Sequence, residues 1–224
     1  NWDSGNIPSL YTDVTITSGQ EIEAANTTTA IANNVIVNSG GSLTVDETSS
    51  LTVSGDLTNS GTVILGSTED DYSSLIVEGT ATGNIEYNRY VNSFNTNPGG
   101  GGWDLVGAPA GMTIANFTAA NAGTLKVLGG DFAFSQYDNA LGQWVRYPTA
   151  SPSGSFTTAQ GYSMATNAGD GATVAFTGPM QTTSQSINII DNNLANGGAG
   201  RRWNLVSNPF PSYIKGNPAA GATN

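Results

Sequence analysis

Between Asp13 and Tyr87 the chain repeats itself in phrases too short for helices. Ser42-Leu43-Thr44-Val45, Ser50-Leu51-Thr52-Val53 and Ser74-Leu75-Ile76-Val77 are variants of one phrase, and Asn38-Ser39-Gly40 returns as Asn59-Ser60-Gly61. Apolar residues at i and i+2 send two side chains inward per strand, and the Gly, Asn and Ser between phrases turn the chain. Equivalent positions recur after 22 residues (Val35 to Leu57), 20 (Leu43 to Val63) and 24 (Leu51 to Leu75). That period, with strands this short, predicts a right-handed parallel β-helix of about three to four coils with three strands each. Leu43, Val45, Leu51, Val53, Val63, Leu65, Leu75 and Val77 should face inward. Trp2 and Pro8 read as a cover over the first coil, because an exposed solenoid end needs one.

From Arg89 the texture changes. Aromatic residues appear, and Gly-rich turns such as Pro98-Gly99-Gly100-Gly101-Gly102 separate longer strand candidates: 103–106, 124–128, 132–137, 144–147, 161–165, 172–176, 187–190 and 203–206. Strands at this spacing predict an antiparallel β-sandwich or jelly-roll-like domain, with one short helix at 115–123. A longer repeat lies across this part. Trp103-Asp104-Leu105-Val106-Gly107-Ala108-Pro109 is matched 100 residues later by Trp203-Asn204-Leu205-Val206-Ser207-Asn208-Pro209. The expected organisation is a capped β-helix over 1–88, a sandwich over 89–202, and the start of a further, truncated unit over 203–224. Both Trp phrases should form neighbouring, equivalent strands with buried indoles.

The order of solenoid, Gly83-Asn84-Ile85-Glu86-Tyr87-Asn88-Arg89-Tyr90-Val91, first Trp phrase, Gly161-Tyr162-Ser163-Met164-Ala165 and second Trp phrase resembles large secreted surface proteins of Bacteroidota. In those proteins such modules usually precede a C-terminal sorting domain read by the type IX secretion system. The resemblance implies an extracellular, cell-surface location, but specifies a module rather than an activity, since its members include adhesins and enzymes. The sorting domain is absent from this sequence.

Composition narrows the chemistry. The net charge is −11, with 17 acidic against 6 basic residues, so phosphate backbones and anionic membranes are repelled, and nucleic acid is excluded as a partner. No stretch of about 20 apolar residues offers a spanning helix. With no Cys there is no disulfide, and with no His the commonest general base and every Ser-His-Asp triad are missing. A lyase would need a basic residue or bound calcium to acidify a proton next to a carboxylate, and the solenoid holds no Lys or Arg before Arg89. Acids that could pair for glycoside hydrolysis, Asp46, Glu47, Asp56 and Glu69, fall on turns.

Two binding sites are nevertheless open to the residues. Glu69-Asp70-Asp71, the densest acidic run, offers oxygen ligands to calcium, or is simply a solvated loop. Tyr137, Trp144 and Tyr147 flank the turn at Gly142 and offer aromatic faces to a sugar ring, or are cross-strand pairs. Thr44, Thr52 and Thr62 should point outward, but Ile36, Ile64 and Ile76 interrupt any ordered Thr array for ice, so β-propensity accounts for them. The sequence therefore points to a non-catalytic structural or adhesive module, a spacer, adhesin or filament subunit, whose partners are other chains, copies of itself or surface glycans. A carbohydrate-binding accessory module of a polysaccharide-degrading enzyme is the alternative.

Overall fold

The computed structural model describes residues 7–26, 28–94, 102–167, 169–191 and 204–214. Its first half is a β-solenoid in which every coil gives one strand to each of three parallel sheets. The first coil is β1 (Val14–Ile16), β2 (Glu21–Ala24) and β3 (Thr29–Ala32), and the second is β4 (Val35–Val37), β5 (Ser42–Val45) and β6 (Ser50–Val53). The third is β7 (Leu57–Asn59), β8 (Thr62–Leu65) and β9 (Ser74–Val77), after which β10 (Ala81–Thr82) and β11 (Ile85–Val91) begin a fourth.

Like residues stack on like. Val14, Val35, Leu57 and Ala81 are successive register partners, as are Leu43 and Val63, and Leu51 and Leu75. All eight residues expected inward are at most 6% exposed. In parallel stacking the same side-chain shape repeats in each layer, so a short phrase reused once per coil packs without new design.

A polar ladder ties one corner of the coils. Asp13, Asn34, Asp56 and Thr80 stand immediately before β1, β4, β7 and β10. Asp13 Oδ1 accepts from the Asn34 backbone N–H and from Asn34 Nδ2, at 3.2 and 2.8 Å, and Asn34 Oδ1 accepts from the Asp56 N–H at 2.9 Å. Asp56 Oδ1 in turn accepts from the Thr80 N–H and hydroxyl, at 2.7 and 2.8 Å. Each side chain thus satisfies a corner N–H of the next coil, where sheet pairing lapses.

The second half is an antiparallel sheet of β12 (Asp104–Gly107), β13 (Val127–Leu128), β14 (Asp131–Asp138), β15 (Gln143–Pro148) and β16 (Gly161–Met164). The helix α1 (Ile114–Ala120) is capped by the Thr113 hydroxyl, which accepts from Asn116 N–H. The last strand, β17 (Ala172–Gly178), does not join this sheet. It pairs antiparallel with β11 along seven partners, from Ile85↔Gly178 to Val91↔Ala172, and so extends a solenoid sheet. Residues 88 and 89, where a domain boundary was expected, lie inside β11 and in this ladder.

Between the antiparallel sheet and β17 lies an aromatic core. Phe117 of α1 stacks on Phe176 of β17 at 4.7 Å, and Phe156 stands edge-on to Phe117, Tyr162 and Phe176. Phe134 of β14 joins them, and Phe117, Phe134, Tyr162 and Phe176 are fully buried. At Ala175 the far side of β17 is met by a side chain acting as backbone. The Asn121 amide donates to Ala175 O at 3.0 Å and accepts from Ala175 N–H at 2.9 Å. Residues 187–190, expected as a strand, are held instead by Asn204, whose amide bonds Ile190 N–H and C=O.

Candidate functional site

The two Trp phrases do come together, but not as equivalent strands. The first forms β12, whose Gly107 is the partner of Gly161 in β16. Among the described residues the second is joined by the isolated bridge Val206↔Gln160, with Gly161 N–H donating to Leu205 O at 3.0 Å and Ser207 N–H to Ala159 O at 2.8 Å. The second phrase crosses so closely that a Cβ on Gly161 would stand 2.6 Å from Leu205 Cγ, and one on Gly107 2.7 Å from Ser207 Cβ. The first phrase carries Gly107 where the second carries Ser207 because the two meet there. Trp203 lies outside the described residues.

Trp103 is not a core residue. It is 38% exposed, and Leu105 is 65% exposed, while Val106 between the sheets is buried. Asp104 sets this parity. Its carboxylate accepts from Asn92 N–H at 2.7 Å and from Asn92 Nδ2 at 3.0 and 3.1 Å, which pins Asp104 toward β11 and sends Trp103 and Leu105 to the other face. The Trp103 ring is held edge-on to Phe94, 88° between planes and 5.8 Å between centroids.

The expected sugar-facing trio is split by strand alternation. Tyr137 and Trp144 are cross-strand partners on β14 and β15, with rings 5.4 Å apart at 68°, and Trp144 is 40% exposed. Tyr147, three residues on, points to the opposite face, stacked 4.6 Å from Phe134, and burial pushes its phenol up to about 12. The trio is therefore an outer pair and a core residue.

The acidic run does not bring its carboxylates together. Glu69, Asp70 and Asp71 are exposed in a tight loop closed by Thr68 N–H to Asp71 O and by the bridge Ser67↔Tyr72, and among the described residues no three acids gather around a common point. A closed turn of successive residues spreads side chains apart instead of converging them. Of the other acids, Asp56 is engaged in the corner ladder, which holds its carboxyl below the ordinary value of 3.8. Glu47 hydrogen bonds to its neighbour Asp46; this contact pushes Glu47 up and holds Asp46 down. Carboxyls in direct contact leave no space for a scissile bond between them, since retaining pairs stand about 5 Å apart. Glu47 also lines an open groove of about 590 Å³ with Asp71, Tyr72 and Tyr213.

Sequence reasoning missed Arg89. On β11 it follows Ile85 and Tyr87 onto the inward face, where its guanidinium lies 4.1 Å over the Tyr72 ring, which in turn stacks on Tyr213 at 4.5 Å. This cation–π stack closes the solenoid end against the segment that follows the second Trp phrase, with Leu75 N–H donating to Pro211 O at 2.7 Å. The inward parity of Arg89 was available from the alternation of Ile85, Tyr87 and Val91.

A short β-solenoid packed against an antiparallel sheet through one shared core is the class of protein that this fold defines. Residues 1–219 match the model of a family described as a domain of unknown function (DUF8693), and the chain belongs to that family. No curated protein and no solved structure matches the chain.

Proposed function

We propose that this chain is a non-catalytic structural and adhesive module of a secreted cell-surface protein. The observation that carries the reading is one continuous core: β17 extends a solenoid sheet through its ladder with β11, and its Phe176 packs into the aromatic core of the antiparallel sheet. A stiff body that presents outward-facing sheet surfaces suits a spacer or adhesin. The chain's lack of His and the engagement of Asp46, Glu47 and Asp56 in turn hydrogen bonds support a role without chemistry. Its acidic, low-charge surface suits an exterior setting, and export by a type IX route is part of the same proposal.

The test uses intact cells that produce the protein. Surface labelling and external protease should reach the module, and protection from both would overturn the location. Purified chain incubated with polysaccharides should release no reducing sugar. Release that disappears in Glu47→Gln would make the groove beside Tyr72 an active site and end the non-catalytic reading.

The second reading, a carbohydrate-binding accessory module, is favoured by the exposure of Trp103 and Trp144.

A further inference from the structure

Strand register carries Trp103 further than exposure alone. Leu105 is opposite Ser163 on β16, Ser163 is opposite Ser135 on β14, and Ser135 is opposite Arg146 on β15. Facing residues share a side of the sheet, and residues two apart keep it. Trp103, Asp131, Ala133, Ser135, Arg146 and Trp144 therefore lie on one face, opposite the aromatic core. A cavity of about 340 Å³ opens there, lined by Trp103, Asp131, Ala133, Ser135 and Arg146, with Leu128, Gly129, Phe132 and Phe134 completing its wall at the irregular part of β14. Its size falls at the lower end of small-ligand sites.

The chemistry of this lining is specific. An indole fixed edge-on against Phe94 offers a flat apolar face, and small Ala133 and Ser135 leave the floor low beside it. Around it stand a carboxylate acceptor, a guanidinium with several donors in one plane, and a hydroxyl. A flat ring with apolar C–H groups on one side and adjacent hydroxyls at its edge matches all of these at once. That description is a pyranose. The ladder between β14 and β15 also shifts register between Phe132 and Ser135, at this position, and such bulges re-aim side chains next to sites.

Charge selects among sugars. Asp131 and Arg146 offset one another locally, while the chain as a whole carries −11 and repels polyanions over the distance of approach. We infer that the outer face of the antiparallel sheet binds a neutral hexopyranose unit of an uncharged polysaccharide, with Trp103 as the stacking platform and Asp131, Ser135 and Arg146 as its hydrogen-bonding partners. Trp144, one alternation beyond Arg146 on β15, extends the contact along the sugar chain. The inference rests on the adhesive reading above and names what is adhered to.

Titration of the full chain with cellohexaose, mannohexaose and an oligogalacturonate, read by tryptophan fluorescence and calorimetry, tests it. At least one of the hexose probes, cellohexaose or mannohexaose, should bind, and oligogalacturonate should not. Trp103→Ala and Arg146→Ala should each weaken binding by about tenfold, with Trp144→Ala weaker in effect. Arg146 is exposed, so Arg146→Ala and Trp103→Phe retain the fold and their denaturation midpoints should match the parent. Absence of binding to either hexose probe, preference for oligogalacturonate, or binding indifferent to Arg146→Ala would overturn the site. Surface exposure without sugar binding sinks only this site, whereas sugar binding without surface exposure sinks only the cell-surface reading.

Discussion

The solenoid and the antiparallel sheet solve burial in opposite ways. The first buries small aliphatic side chains in register with copies of themselves, each strand paired with one about 20 to 24 residues away. The second buries a few large rings that meet from Phe117, Phe134, Phe156, Tyr162 and Phe176, whose positions follow no period. Repetition makes the first insensitive to any one residue's shape but dependent on its corners. The second depends on particular rings, and through β17 it also holds the last coil.

Removing the ring that belongs to both halves is the strongest way to break the comparison. Phe176→Ala should cost about 3 to 5 kcal/mol in denaturant unfolding, as aromatic truncations in cores do, and should shift one transition seen by all probes. Two separated transitions would mean that the halves are independent after all. Leu65→Ala, in the middle of the solenoid, should cost about 3 kcal/mol. Its register partners in adjacent coils are Val45 and Tyr87, and the smaller side chain removed leaves the smaller cavity, so a larger loss than that of Phe176→Ala would reverse the ranking.

Gly161→Ala sharpens the contrast at the crossing of the two Trp phrases. The added methyl meets Leu205, and the expected cost is about 1 to 3 kcal/mol, with residues 204–214 becoming the first site of limited proteolysis. Unchanged cleavage would show that the second phrase is held elsewhere.

The smallest effect belongs to the corner ladder and is read by pH. Hydrogen bonds from Asn34 and Thr80 hold Asp13 and Asp56 below their ordinary value of 3.8. A depressed folded pKa contributes stability that is present above the unfolded value and lost as pH falls through the folded one. The denaturation midpoint should therefore decline on acidification below about pH 4. Asp13→Asn with Asp56→Asn keeps the acceptor oxygens and should flatten that decline. Glu47, pushed up by Asp46, acts in the opposite sense and is lost as pH rises, so Glu47→Gln should steepen it. An identical slope in all variants would remove the ladder from the account.

The same contrast governs what could be read in advance. Leu43 to Val77 were legible because alternation and repetition coincide there, and every such residue is inside. β2 and β3 were not, since Glu21–Ala24 and Thr29–Ala32 place Ala at inward positions where the hydrophobic pattern is weakest. The ladder of Asp13, Asn34, Asp56 and Thr80 had a signal, a polar residue just before an apolar strand at coil spacing, that strand patterning alone passes over. β17 was legible as a strand, but its partner was not, because antiparallel addition to a distant coil leaves no local mark. On the candidate site, Trp144 and its pairing with Tyr137 were legible. Trp103 was read as core because its size outweighed parity, and parity is fixed by Asp104 and Asn92, a contact between strands.

The position of β17 has a consequence in time. A ribosome completes β11 at Val91 and does not begin β17 until Ala172, 81 residues later (172 − 91). At about 5 to 20 residues per second the interval is about 4 to 16 seconds. Each coil closes on the one before it as it emerges, so the solenoid matures early while its newest strand waits with unmet N–H and C=O groups. Such a strand is a template for whichever extended segment arrives first. During those seconds the nascent protein is at its most sticky, and a helper that occupies β11 in the interval would decide yield more than any side chain in the finished molecule.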